Sequence, residues 1–259
     1  MKKITRKDFL RLTGLSFLAA GAIEATRAVT GQSPSAEPSA ANQKAQTVRW
    51  GMVVDLQKCQ KEKGCDACIR ACDSAHNVPQ ISDPKHRVKW IWTQPFKTVF
   101  PFSRSSYAEQ SDANIPVPLM CNHCDSPPCV RVCPTQATWK REDGIVMMDW
   151  HRCIGCRYCM AACPYGSRSF NWLDPRQALA HINPDFPTRT KGVVEKCNFC
   201  EERLADGLSP ACVGACPQKA LVFGNLMDPQ SEPRKLLRKR FAIQREPELG
   251  TGPSVYYLV

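Results

Sequence analysis

The sequence predicts an α+β protein assembled from four repeats of one small unit: a strand, a cysteine-bearing loop, a short helix and a return strand. Three observations carry this. The 16 Cys of the 259-residue chain fall in four tight groups, each ending in C-x3-C. Three of the groups close with Pro, at Cys133-Pro134, Cys163-Pro164 and Cys216-Pro217. The flanks repeat as well: MVVDLQKC before Cys59 parallels VMMDWHRC before Cys153, each with an Asp (Asp55, Asp149) four residues ahead of the first Cys, and CPTQAT and CPQKAL share C-P-x-x-A.

Taken in order, residues 1–30 begin with a basic stretch (Lys2, Lys3, Arg6, Lys7) and continue into an apolar run from Leu12 to Ile23. That run is too short to span a bilayer and has the length of a signal h-region. The segment TRKDFLRL resembles a twin-arginine export signal, with Lys7 in place of the second arginine. Residues 1–30 are therefore read as an export signal or a retained N-terminal anchor, which implies a periplasmic or other extracytoplasmic location. Residues 31–47, GQSPSAEPSAANQKAQT, form a small, polar linker that buries too little surface to order itself. The body runs from 48 to 259, and a composition of 43% hydrophobic and 23% charged residues makes it globular.

The four groups are Cys59-x5-Cys65-x2-Cys68-x3-Cys72, Cys121-x2-Cys124-x4-Cys129-x3-Cys133, Cys153-x2-Cys156-x2-Cys159-x3-Cys163 and Cys197-x2-Cys200-x11-Cys212-x3-Cys216. The third, CIGCRYCMAACP, is the run of bacterial two-cluster ferredoxins, in which three Cys hold one iron–sulfur cubane and the fourth reaches a second. Three thiols at consecutive x2 spacings wrap an object larger than a single zinc ion, which takes two separated C-x2-C pairs. Disulfides, the default outside the cytoplasm, have no reason to repeat one ending four times. Export by the twin-arginine route, as the resemblance implies, carries proteins already folded around their cofactors. The expected fold is thus two ferredoxin-like (bacterial dicluster) modules with insertions, with the metal clusters forming much of the core.

The net charge of +11 invites a nucleic-acid partner. Residues 1–49 hold eight Lys+Arg against three Asp+Glu, leaving 27 against 21 on residues 50–259. Four oxidised cubanes with their thiolates add roughly −8, which cancels the surplus on the body, so no nucleic acid is expected.

With CNHCDSPPCVRVCP, DGIVMMDWHRCIGCRYCMAACPYGSRSFNW, EKCNFCEERLADGLSPACVGACPQKALVFGNL and the tail GTGPSVYYL, residues 48–259 resemble the four-cluster iron–sulfur subunits of polysulfide, dimethyl sulfoxide and nitrite reductase systems. HNVP followed by KWIW is most similar to the DsrO-type subunit of sulfite-reduction-associated membrane complexes. The resemblance implies four 4Fe-4S clusters: cluster 1 on Cys59, Cys65, Cys68 and Cys216; cluster 2 on Cys121, Cys124, Cys129 and Cys163; cluster 3 on Cys153, Cys156, Cys159 and Cys133; cluster 4 on Cys197, Cys200, Cys212 and Cys72. It pairs the first group with the fourth in one module and the second with the third in the other. The long loop after Cys59 leaves that ligand open, and without it cluster 1 would be 3Fe-4S.

The function this implies is a non-catalytic electron-transfer subunit. It would pass single electrons between an integral membrane quinone-interacting subunit and a cytochrome or molybdopterin partner. The sequence shows no nucleotide-binding Gly-rich loop, no C-x3-C-x2-C radical run and no paired nucleophile and base, which speaks against an enzyme with its own substrate. The rival is a stand-alone soluble polyferredoxin. Segment 76–120, with Trp90, Ile91, Trp92, Phe96, Phe100, Phe102 and Tyr107, is too apolar for an open loop; it either faces a partner or covers the module's own core. Loop cations (Lys58, Lys61, Lys63, Arg131, Arg152, Arg157, Arg203) either raise cluster potentials or are solvated. The five His are read as polar or packing residues, and PRKLLRKRF (233–241) as a solvated helix face or a contact to anionic headgroups.

Overall fold

The structure, a computed structural model, describes residues 48–102 and 113–259. The signal or anchor (1–30), the linker (31–47) and Tyr107 lie outside the described residues. Among those described, the elements run β1 (Trp50–Asp55), α1 (Leu56–Cys59), α2 (Ala67–Ala75), β2 (Trp92–Pro95), α3 (Phe96–Val99), β3 (Pro116–Leu119), α4 (Pro128–Arg131), β4 (Thr138–Lys140), β5 (Val146–Met148), α5 (Tyr158–Ala161), β6 (Ser169–Phe170), β7 (Val194–Glu195), α6 (Glu201–Ala205), α7 (Ala211–Gly214), β8 (Leu221–Asn225), α8 (Glu232–Lys239), β9 (Ala242–Ile243) and β10 (Val255–Leu258). The fold is α+β, as expected.

The expected repeat is visible in the backbone. In each C-P group a four-residue helix carries the third Cys, and the fourth Cys follows the helix end through an i→i+3 bond: Cys133 N to Val130 O at 3.2 Å, Cys163 N to Met160 O at 3.3 Å, Cys216 N to Val213 O at 3.3 Å. The proline that comes next cannot continue the helix. Group one lacks that proline, and α2 accordingly carries both Cys68 and Cys72 and runs on to Ala75. In all four groups the helix thus starts one residue ahead of the third Cys. The repeated Asp is a turn-former: Asp55 caps α1 by accepting from Lys58 N (3.1 Å), and Asp149 accepts from His151 N (2.8 Å).

Four strands form one sheet in the order β8-β1-β10-β9, with β1 antiparallel to β8 and parallel to β10. Met52, Val53 and Val54 of β1 are wholly buried, as a central β-branched strand requires. The tail strand β10 wedges between β1 and β9, pairing Met52 with Val255. The return strand of group four (β8) therefore lies beside the leading strand of group one, and α2 packs on α7. The second and third groups meet likewise through the β4–β5 hairpin and the α4–α5 contact. Two further strand pairs, β2–β3 and β6–β7, close the insertions. Among the described residues no helix is long and apolar enough to cross a membrane.

The aromatic segment resolves toward self-burial. Trp90, Ile91, Trp92 and Phe100 are buried in the main core and Phe96 packs against it, leaving Phe102, 95% exposed, as the outward side chain. Trp90, Ile91, Trp92 and Phe100 thus cover the protein's own core. Trp90 stacks on His76 and edges Phe186, and its Nε1 donates to the buried Glu195 at 3.0 Å.

Candidate metal centres

All sixteen thiols lie in described residues and none is in a disulfide. Eight are buried, seven are half-buried, and Cys65 is exposed. Cys59, Cys65, Cys68 and Cys216 line one cavity of about 200 Å³, with Ile69, Pro118 and Leu221 among its apolar walls. Burial and the neighbouring Cys216 and Cys65 thiols push Cys59 up to about 11, and burial with Cys59, Cys216 and Cys65 pushes Cys68 to about 12. Cys121, Cys124, Cys129 and Cys163 line a second pocket, and burial and the Cys121 thiol push Cys124 to about 12. Cys72 is raised by burial and by its neighbours Cys197, Cys212 and Cys200. Cys159 lies beside Cys153 and Cys129, and Cys133 and Cys153 pack on the small core around Cys129 and Cys159; Cys156 follows Gly155 on the same loop.

The loops that bring these thiols inward share one shape. In the C-x-x-C segments the residue before the second Cys is left-handed in three groups: His123 (φ 42°), Gly155 (φ 70°) and Phe199 (φ 59°). The fourth residue of each C-P-x-x turn is left-handed too: Gln136 (φ 53°), Gly166 (φ 61°) and Lys219 (φ 49°). These reversals aim main-chain N–H groups at sulfur. Phe199 N lies 3.4 Å from Cys197 Sγ, Ala211 N 3.4 Å from Cys200 Sγ, and Ala220 N 3.2 Å from Cys216 Sγ. At Cys133 burial opposes the charge, but N–H donors from Thr138, Ala137 and Thr135, with the Thr135 hydroxyl, hold the thiol below its usual value.

Converging thiols with donors aimed at them fit a polynuclear metal core. Protonated, they would waste the N–H bonds; ionised, they would repel one another without a cation between them. Asn122 adds a second sign. It is buried against the second pocket with both amide atoms unpartnered, as a donor facing inorganic sulfide would be in the bare polypeptide. His76, Cys200 and Glu202 also converge. His76 donates from Nδ1 to Cys72 O (2.9 Å) and from Nε2 to Glu202 Oε1 (2.9 Å), and Cys200 belongs with the Cys72 thiols, so this trio is a hydrogen-bonded support for that centre.

Three of the seven loop cations singled out in the sequence are engaged elsewhere. Arg157 stacks over Trp172 (4.7 Å) and Phe170 (5.3 Å), Arg152 pairs with Asp149, and Arg203 donates to Ser209 O. Two buried cations stand among the thiols and were passed over in the sequence: Arg168, which donates to Cys129 Sγ at 3.1 Å, and Lys196, anchored on the Val146 and Cys197 carbonyls. A charge in an otherwise small or apolar run, as in CPYGSRSF and VVEKC, was the available signal.

A strand-and-turn scaffold that gathers sixteen thiols into such sets defines an iron–sulfur protein of the dicluster type. Residues 113–179 and 182–226 match the family model described as a 4Fe-4S dicluster domain. The chain is 42% identical to the Hdr-like menaquinol oxidoreductase iron-sulfur subunit 1 of Archaeoglobus fulgidus, over 98% of this chain and 97% of that protein. It is 38% identical to the menaquinone reductase iron-sulfur cluster-binding subunit of Nitratidesulfovibrio vulgaris (82% and 89% covered) and 38% identical to the B subunit of the polysulfide reductase of Wolinella succinogenes (80% and 93%). The protein belongs to this family of 4Fe-4S iron–sulfur subunits of oxidoreductases, and it carries several 4Fe-4S clusters.

Proposed function

We propose that the chain is a four-station electron relay that performs no bond chemistry of its own. Its stations are the thiol sets 59/65/68/216, 121/124/129/163, 153/156/159/133 and 197/200/212/72, in two modules of two. The observation that carries this is the convergence of thiols from distant groups, such as Cys216 with Cys59 and Cys72 with Cys197, into shared pockets or mutual electrostatic reach. When bound, each 4Fe-4S cluster takes up and returns one electron; the chain ligates it, shields it from water and sets how readily it is reduced.

Thiol neighbours between sets support an order for the stations. Cys212 lies within reach of Cys68, Cys197 of Cys121, and Cys159 of Cys129. This gives first, fourth, second, third. Burial follows the same order: the two middle sets hold seven buried thiols of eight, whereas the end sets hold Cys65 exposed and all others but Cys159 half-buried. A relay needs contact with partners at its ends and insulation between them. At the third-set end, Ile154 and Tyr158 are exposed large side chains on the thiol loop itself.

The partners in this reading are an integral membrane quinone-interacting subunit and a cytochrome or molybdopterin subunit, in a DsrO-type complex on the extracytoplasmic face reached through a twin-arginine signal in residues 1–30. The names of the relatives, a menaquinol oxidoreductase, a menaquinone reductase and a polysulfide reductase, support that setting. Anaerobically purified protein should contain about 16 iron and about 16 acid-labile sulfide. Zinc without sulfide would sink the proposal, and a membrane-free monomer in native extracts would favour a soluble polyferredoxin.

A further inference from the structure

Two buried arginines, treated differently by the fold, point to an electrostatic device. Arg189 is matched by a carboxylate: its Nη2 lies 2.5 Å from Glu195 Oε2, both side chains fully buried. Arg168 is as inaccessible, 5% exposed, yet among the described residues no carboxylate pairs with it. Its Nη2 donates to Cys129 Sγ (3.1 Å) and to Thr138 Oγ1 (2.8 Å), its Nη1 approaches Met148 Sδ (3.6 Å), and Cys159 is buried in the same small cluster as Cys129. An unpaired guanidinium costs several kcal/mol to bury. The negative charge that offsets it comes from the thiols around it, Cys129, Cys159 and Cys121.

Those thiols do not belong to one set. Cys129 and Cys121 fall in the second, Cys159 in the third, and Arg168 stands at the junction where α4 and α5 bring the two together. We propose that Arg168 is a positioning residue shared by the second and third centres, a fixed buried cation that is hydrogen-bonded to Cys129 of one, itself enclosed in the same small cluster as Cys159 of the other, and that makes both easier to reduce. This rests on the ligand sets proposed above. Each centre gains one electron on reduction, the arginine keeps its proton, and the added negative charge is met by a cation already in place, so no group has to move. The two centres are thereby coupled: an electron on either one screens the same guanidinium from the other.

The experiment compares full-length wild type with Arg168→Met and Arg168→Lys, purified anaerobically, by dithionite titration followed by electron paramagnetic resonance, with iron and sulfide counted on the same samples. Cys129→Ser and Cys159→Ser identify the signals of the two centres. Removing the cation is expected to cost each of those two centres at least a tenfold loss in electron affinity, a downward midpoint shift of about 59 mV or more, with the other two midpoints unmoved. Arg168→Lys keeps the charge but loses the planar fork, so both midpoints should fall by less. Full iron with unmoved midpoints, or a shift at one centre alone or at all four, overturns the proposal while leaving the four-centre reading intact. Wild-type content below four clusters would overturn that reading instead. If Arg168→Met loses its iron, the lysine variant decides: wild-type midpoints there make the arginine merely structural and reject the shared role.

Discussion

Cys59 is the thiol whose role the long CQKEKGC loop left open, and its placement is now specific. It ends α1, a turn that Asp55 caps and that Arg240 steadies by pairing with the same carboxylate. The loop lets Cys65 reach back to the cavity that Cys59 shares with Cys68 and Cys216. Wild-type protein should therefore show no three-iron signal. Cys59→Ala should convert one cluster of the four to a three-iron form, seen by electron paramagnetic resonance of oxidised samples; an unchanged four-iron spectrum would remove Cys59 from the ligand set. At this scale the thiols were legible, because spacing reports directly on what a loop can wrap. Arg168 and Lys196 were not, because a lone basic letter does not say whether it is solvated. Only the pairing of elements far apart in sequence, as when Cys129 is brought to Arg168, makes it a buried charge.

The element that repeats is a backbone path, and sequence showed it through Pro and Asp rather than through the left-handed positions. The two C-N-x-C segments share Asn122 and Asn198, but the residues that follow, His123 and Phe199, have no side chain in common, yet both adopt the conformation that Gly155 adopts between Cys153 and Cys156. Glycine is needed there for a second reason. A Cβ at Gly155 would collide with the carbonyl oxygen of Gly192, a main-chain atom that cannot yield, whereas one at Gly166 would meet nothing within 4 Å. Both positions have positive φ, so Gly166→Ala should cost about 1–2 kcal/mol and keep full iron content. Gly155→Ala should cost more than that and empty the third centre, read as a quarter of the iron lost with a lowered unfolding midpoint. Equal effects of the two would show that conformation alone, without the close approach, sets the need for glycine. The aromatic stretch shows the opposite limit of sequence reasoning. Its apolarity was plain, but whether Trp90 and Trp92 face a partner or the protein's own core depended on β2 pairing with β3 and on His76 and Phe186 arriving from elsewhere.

Across the whole molecule the core is organised around sulfur. The main hydrophobic cluster contains Cys72, Cys121, Cys197 and Cys212, and the smaller one is built on Cys129 and Cys159 with Val146, Met148 and Val194. Regular structure is sparse: one four-stranded sheet, three two-stranded pairs and helices mostly of four or five residues among the described residues. Isolated helices and hairpins of that size are marginal in water, so the loops that hold the thiols depend on what the thiols hold. Without metal the thiols bury their charge only by taking up protons, at the high values that burial and mutual proximity impose, and the N–H groups aimed at sulfur lose their charged acceptors. Iron removal by a chelator and oxidant should thus unfold the protein cooperatively and not leave an ordered apo form. The loss should begin in the second and third centres, whose own strands, β4–β5 and β6–β7, form two-stranded pairs, whereas the first and fourth are flanked by β1 and β8 of the four-stranded sheet. Far-UV circular dichroism with amide hydrogen exchange reads both parts. Retained strand signal and protection after complete iron loss would show that the protein scaffold stands without its clusters, and protection lost first in β1 would reverse the order argued from the sheets.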